Sequence, residues 1–180
     1  MKTLKINQNE TIEQAITKLI SKIGENIKIR KFEKIICDGL IARYLHNKAS
    51  DSTGKIGVLL SYKTDNEKIA KELAMNICMH IAALNPMSID EKGIDNNFIE
   101  KERKIIIEQL KDEKKPSEIL KKIIDGKISK IISENSLLKQ KWVIDQDITV
   151  EKAIESFSKS HSIQFLSLIH ISEPTRPLYI

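Results

Sequence analysis

Two cysteines and four histidines are the side chains of this 180-residue chain best suited to nucleophilic or metal chemistry, and their spacing forecloses most of it. Cys37 and Cys78 make no CxxC pair, and His46, His80, His161 and His170 are scattered, so no zinc signature can be written. A thiol nucleophile needs a base within hydrogen-bond reach. His80 is two residues from Cys78, but helix positions two apart point about 200° away from each other, which excludes a dyad and makes both thiols structural and buried. Gly54-Lys-Ile-Gly57 has neither the spacing nor the following helix of a phosphate cradle. Carboxylates fall among lysines on helix faces, the pattern of solvated surface pairs. The residues therefore predict no catalytic group, no metal and no cofactor: the chain is not expected to be an enzyme, and rapid alkylation of the native thiols would reopen the question. His80 falls at the edge of a helix's apolar arc, as either a core histidine or a contact. His46, at a strand end, reads as a surface residue. Trp142, the sole tryptophan, packs a helical hairpin onto its neighbour or stands exposed as a hot spot.

The composition narrows the partners. The net charge is +5, and only four of the 30 basic residues are arginine (Arg30, Arg43, Arg103 and Arg176). Mild basicity spread as lysine describes a solvated surface or weak attraction to an acidic partner, and no direct nucleic-acid contact is expected. Aromatics at 4% offer no stacking platform for single strands. No apolar run approaches the ~20 residues of a membrane helix, and Met1-Lys-Thr-Leu-Lys-Ile-Asn7 lacks a signal-peptide core. With cysteines suited to a reducing compartment, a soluble, cytoplasmic protein with no membrane contact is expected.

The elements that must position these residues follow from periodicity. Asn9 is the predicted cap of a first helix carrying Ile12, Ile16, Leu19, Ile20 and Ile23, and Gly24 its end. Residues 27–36 alternate in part and predict a strand. Residues 40–46 and 55–62 predict an antiparallel hairpin with a third strand nearby. A helix over 65–84, stopped by Asn85-Pro86, gathers Ala70, Leu73, Ala74, Ile77, Ile81 and Leu84 in one arc, yet Met75, Cys78, Met79 and Ala82 make its opposite side apolar as well. Such a helix is sandwiched in a core or offers a second face to something else. A third helix over 95–113 carries Phe98, Ile99, Ile105, Ile106 and Leu110. Pro116 suits the first turn of a fourth, and Thr149 caps a last one over 149–159. The narrow seams of 116–133 and 149–159 suggest the arms of a helical hairpin. The fold class is α+β, with antiparallel strands packed against helices and an inserted antiparallel hairpin.

From Leu166 the composition changes: Leu166-Ser-Leu-Ile-His-Ile-Ser-Glu-Pro-Thr-Arg-Pro-Leu-Tyr-Ile180 holds no lysine and two of the four prolines. Residues 166 to about 176 match a translated transposon-end sequencing adapter, so 166–180 are read as a non-native tail, an unusual native tail being the alternative. The natural chain is then expected to continue differently after about Phe165.

Five segments, in one order, resemble bacterial elongation factor Ts: Lys22-Ile-Gly-Glu-Asn-Ile-Lys-Ile-Arg30, Gly54-Lys-Ile-Gly-Val-Leu-Leu60, Met79-His-Ile-Ala-Ala-Leu-Asn-Pro86, Phe98-Ile-Glu-Lys-Glu-Arg103, and Lys115-Pro-Ser-Glu-Ile119 through Asp125-Gly-Lys127. The resemblance implies the end of a first core subdomain at 1–36, a second core subdomain at 37–113, a coiled-coil hairpin at 114–160 that self-associates in some members, and a truncated returning strand at 161–165, leaving the sheet without an ordered edge. It also implies guanine nucleotide exchange on elongation factor Tu, GDP-bound and nucleotide-free, during translation elongation. Ile56, Gly57 and His80 match partner-contacting positions. The family's N-terminal ubiquitin-associated-like domain and its Thr-Asp-Phe-Val motif are not in these residues, since Thr64-Asp65 is followed by Asn66. The chain is accordingly read as a fragment with impaired exchange. The competing reading is a non-catalytic ribosome- or RNA-associated helical module, whose binding would fall steeply with salt.

Overall fold

A capping box opens the first helix, and it is built two residues later than expected. In this computed structural model, Thr11 Oγ1 accepts the Gln14 N–H at 3.3 Å while the Gln14 side chain accepts the Thr11 N–H at 2.9 Å. Both orphan donors are satisfied reciprocally, which a cap at Asn9 could not match. Asn9 instead donates its N–H to Asn7 Oδ1. It lies in the turn between strands β1 (Lys5–Asn7) and β2 (Glu10–Thr11), which pair antiparallel. Helix α1 (Ile12–Ile23) ends on Gly24, whose φ of 81° is the left-handed conformation that closes a helix without a Cβ penalty. The structure describes residues 4–7, 9–29, 32, 34–111, 116–162 and, as backbone, 165–174. The chain divides into two units, Met1–Ile35 and Ile36–Ile180.

The strand expected over 27–36 does not form. Residues 27–29, 32 and 34–36 are irregular, with 30, 31 and 33 outside the described residues. A strand needs a neighbour to pair its N–H and C=O groups, and the small β1–β2 sheet pairs only with itself. Ile29, Phe32 and Ile36 are all exposed.

In the second unit the expected hairpin is present. Strand β3 (Leu40–Lys48) pairs antiparallel with β4 (Gly54–Thr64), from Leu40 opposite Tyr62 to Lys48 opposite Gly54. The third strand comes from an unexpected place. Further along the chain, β5 (Phe165–Pro174) pairs antiparallel with β4, giving the order β3-β4-β5. The sheet therefore has an ordered strand where an unfilled edge was expected. The outer N–H and C=O groups of β4 demand partners, and the run Phe165-Leu-Ser-Leu-Ile-His-Ile171 has the apolar and β-branched content that pairs readily. Ser162, at the start of the returning strand that the family resemblance implies, is instead the left-handed cap that ends the last helix.

Alternation on β4 sends Val58, Leu60 and Tyr62 to one face, joined by Ala42 of β3. Helix α2 (Glu67–Leu84), capped by Asn66 and closed by Asn85 at φ 44°, covers that face with Ala70, Leu73, Ala74, Ile77 and Ile81. Its other side meets Leu137, Trp142, Val150 and Ala153, the last two from helix α5 (Val150–His161). The sandwich explains the all-round apolar helix: Cys78 is fully buried, whereas Leu84 lies beyond the cover and is exposed.

The hairpin has different arms from those expected. Helix α3 (Asn96–Gln109), capped by Asp95, lies against α4 (Ser117–Asn135), and Ile106, Leu110 and Ile128 form a second core with Ile99, Leu120, Ile123, Ile124, Ile131 and Ile132 around it. Arg103 bonds Asp125 across the pair at 2.9 Å. The two apolar seams at 116–133 and 149–159 do not face each other: α3 fills the first and α2 the second. Ile105, expected in the seam, is exposed. Pro116 stands at the N-cap of α4, one place before its first turn. At the hairpin base, Met87 donates its N–H to Asn135 O, and Leu137 donates to Ser88 O.

Gly126 sits inside α4, exposed, and a Cβ built on it meets nothing within 4 Å. Gly126→Ala is expected to raise the unfolding free energy by about 0.5–1 kcal/mol, the helix-propensity difference, read as a higher urea midpoint at unchanged slope.

Candidate partner interface

Only Asp65 and Asn66 separate β4 from α2, so the helix runs back over the strand that precedes it. At 1.5 Å per helical residue and ~3.4 Å per strand residue, the C-terminal half of α2 returns to the Gly54–Val58 end of β4. His80 and the pair Ile56–Gly57 thus belong to the same end of one layer.

They are not alike in exposure. Gly57 is half-buried in the central strand, opposite Leu45, and a Cβ placed on it would reach ordinary contact with Leu45 Cδ2 at 3.5 Å. Ile56 is half-buried against the main core and opposite the exposed His46, whose Nδ1 lies 3.2 Å from the Tyr44 hydroxyl. His80 is completely buried. Its Nε2 lies 2.9 Å from Gln140 Oε1, and its Nδ1 is 3.3 Å from the Val143 amide nitrogen. The Trp142 ring stacks on it at 5.2 Å between centroids and 22° between planes.

These contacts settle the proton. Gln140 Nε2 donates to Glu134 O at 2.8 Å, leaving Gln140 Oε1 as the acceptor. His80 therefore donates from Nε2 and accepts the Val143 N–H at Nδ1. Burial lowers the His80 pKa, partly opposed by the Gln140 hydrogen bond, so the neutral ring is favoured. With both nitrogens engaged, the ring has no atom left for acid or base work.

The segment that covers His80 is a closed loop. Val150 donates its N–H to Gln140 O at 3.0 Å, Trp142 donates to Ile148 O at 2.9 Å, and Lys139 pairs with Glu151 at 2.8 Å. Trp142 packs this loop onto α2, neither standing exposed nor bracing the hairpin. The sequence reading did not single out Gln140 or Val143. The signal was present in Trp142-Val-Ile144, an apolar triplet followed by the polar Asp145-Gln-Asp147.

Cys78 is buried, and the loss of water pushes its pKa up to about 12, so it stays a protonated thiol. Cys37, expected buried too, is only half-covered, its thiol directed to Gly39 O. Among the described residues no group of three or more histidine, cysteine, aspartate or glutamate side chains comes together, and no helix is long and apolar enough to cross a membrane.

The family model described as Elongation factor TS matches residues 1–172. The chain is 40% identical to elongation factor Ts of Clostridium novyi (strain NT) over 155 residues, 85% of this chain and 49% of that protein. It is 35% identical to that of Rickettsia bellii (strain OSU 85-389) over 162 residues, 88% of this chain and 52% of that one. Against that of Legionella pneumophila (strain Lens) it is 42% identical over 150 residues, 83% and 48%. The chain spans about half the length of the curated relatives it matches.

Proposed function

The chain belongs to the elongation factor Ts family, and on that premise we propose that its residues serve guanine nucleotide exchange on elongation factor Tu during translation elongation. Such a factor needs no acid, base or metal of its own. It binds the nucleotide-free GTPase more tightly than the GDP-bound form, and reciprocity makes it weaken GDP by the same factor. Each tenfold of weakening takes about 1.4 kcal/mol of contacts absent from the GDP state.

The observation that carries this reading is Gly57. A glycine in the middle of a central strand weakens the strand, and here the fold does not require it, since an alanine Cβ would find room beside Leu45. A bare backbone at that point allows close approach by another chain. Ile56 and Gly57 supply the direct part of the contact in this proposal, with His80 contributing from beneath its cover. Exposed Ile107 on α3 and Ile119 on α4, with Ile105 on the other side of α3, supply apolar contacts for self-association in this proposal. Residues 1–180 contain no Thr-Asp-Phe-Val, and exchange by them alone is proposed to be slower than by a factor that carries it.

Release of labelled GDP from elongation factor Tu tests this. The chain is expected to speed release measurably but less than a complete factor does. Gly57→Ala is expected to lower affinity for the GTPase about tenfold with unfolding stability unchanged or slightly raised. Equal affinity of Gly57→Ala and the parent chain would remove the role given to that strand, and no binding by the parent would remove the function.

A further inference from the structure

We propose that strand β5 is exchangeable between copies: two chains form a dimer, independently of any GTPase, by each laying its β5 on the β4 of the other, with Ser162 as the hinge. The seat for β5 is made by backbone. From Thr64 opposite Phe165 to Ile56 opposite Pro174 the two strands run antiparallel, and Pro174, which has no N–H to donate, stands at the end of the ladder. Among the described residues β4 is the only strand that pairs with β5, which lies at the edge of the order β3-β4-β5. Everything that β4 offers to its own β5 is therefore offered equally by the β4 of a second copy. A β4 left bare would instead expose a long row of N–H and C=O groups that need partners. The occupant follows from identity, because every other copy carries the segment that fits this seat.

The body of the protein does not depend on which copy supplies the strand. Helix α5 is held in the main core by Val150 and Ala153, with Ile154 and Phe157 packed alongside, so β5 can leave while α5 stays. Between the helix and the strand stands Ser162, exposed, at φ 53° and ψ 42°, its N–H donated to Ser158 O. Among the described residues three that are not glycine adopt a positive φ: Asn47, Asn85 and Ser162. Asparagine tolerates that conformation, whereas in serine the Cβ crowds the following carbonyl oxygen without the same compensation. The turn at Ser162 folds β5 back onto its own body, and a strand that crosses to a second copy lets residue 162 return to extended backbone. Each dimer relieves two such turns while making the same strand pairs as two monomers. That relief is set against the freedom lost on association, and a short strained hinge is the arrangement in which exchange costs least.

Full-length chains test this in two ways. Analytical ultracentrifugation over a dilution series, after equilibration at high concentration, is expected to show a monomer–dimer equilibrium in the parent. Ser162→Val, whose β-branched side chain is the least compatible with positive φ, should shift it more than tenfold towards dimer. Ser162→Gly should shift it more than tenfold towards monomer. Equal dimerisation by all three chains overturns the hinge, and with it the proposal. The path of the strand is read separately, by mixing chains that carry only Lys63→Cys with chains that carry only Ser167→Cys, positions directly opposite each other on β4 and β5. Mild oxidation is expected to give a 63–167 disulfide between copies, identified by mass spectrometry of tryptic peptides. This arm uses no hinge variant, so it decides even if Ser162→Val fails to fold. A dimer joined through the hairpin isoleucines would form without that disulfide, and such a result overturns strand exchange, as does a parent chain that stays monomeric at every concentration.

Discussion

Trp142→Ala is expected to lower the unfolding free energy by about 3–5 kcal/mol, the range for deleting a large buried aromatic from a packed site. Urea denaturation followed by circular dichroism measures it. The ring is nearly fully buried, stacks on His80 and sits in one continuous core with Leu137 and Val150, so no neighbour can collapse into the space without breaking the loop at Gln140. The same substitution readmits water to His80. In the folded parent, burial holds the His80 pKa below its unfolded value of about 6.5, so on acidification the unfolded chain takes up the proton first. The stability due to neutral His80 is complete above about pH 6.5 and is lost as pH falls towards the folded pKa. Trp142→Ala should flatten that decline, whereas Trp142→Phe should keep most of it.

Ile77→Ala should rank next, at about 2–5 kcal/mol, read as a drop in Tm. Ile77 is wholly buried in α2 between the sheet and the cover made by α5 and the 139–149 segment, so its cavity opens where both layers meet the helix. An equal truncation at Ile106 touches only the smaller hairpin core, and a smaller loss there would show that the two clusters bear unequal shares of stability.

Local signals carried well from sequence to structure. The Asn85-Pro86 stop, the Gly24 stop and the Thr149 cap are all where residue chemistry placed them, because each is decided within a few residues. The strand expected over 55–62 is present in β4, but which of its residues face the core, Val58, Leu60 and Tyr62, came only with the packing of α2. What the sequence withheld was pairing at a distance. The seam of α4 states that a partner exists but not which, and α3 matches it as well as α5 does until the base contacts at Met87–Ile89 are known. Residues 27–36 have strand-like content, yet a strand is a relation between segments, and no segment answers them among the described residues. The same holds for β5: composition marks 166–180 as foreign, whereas hydrogen-bonding demand on β4 is indifferent to composition. His80 was legible only as lying at an edge, since its cover comes from residues sixty positions away.

The hairpin keeps its own seam of isoleucines and leucines, apart from the sheet core, and is fastened at one end where residues 87–89 meet residues 135–138. An arm anchored in that way behaves as a tunable spar. Adding or removing matched helical turns beyond Arg103 and Asp125 changes how far it reaches while leaving the mounting untouched.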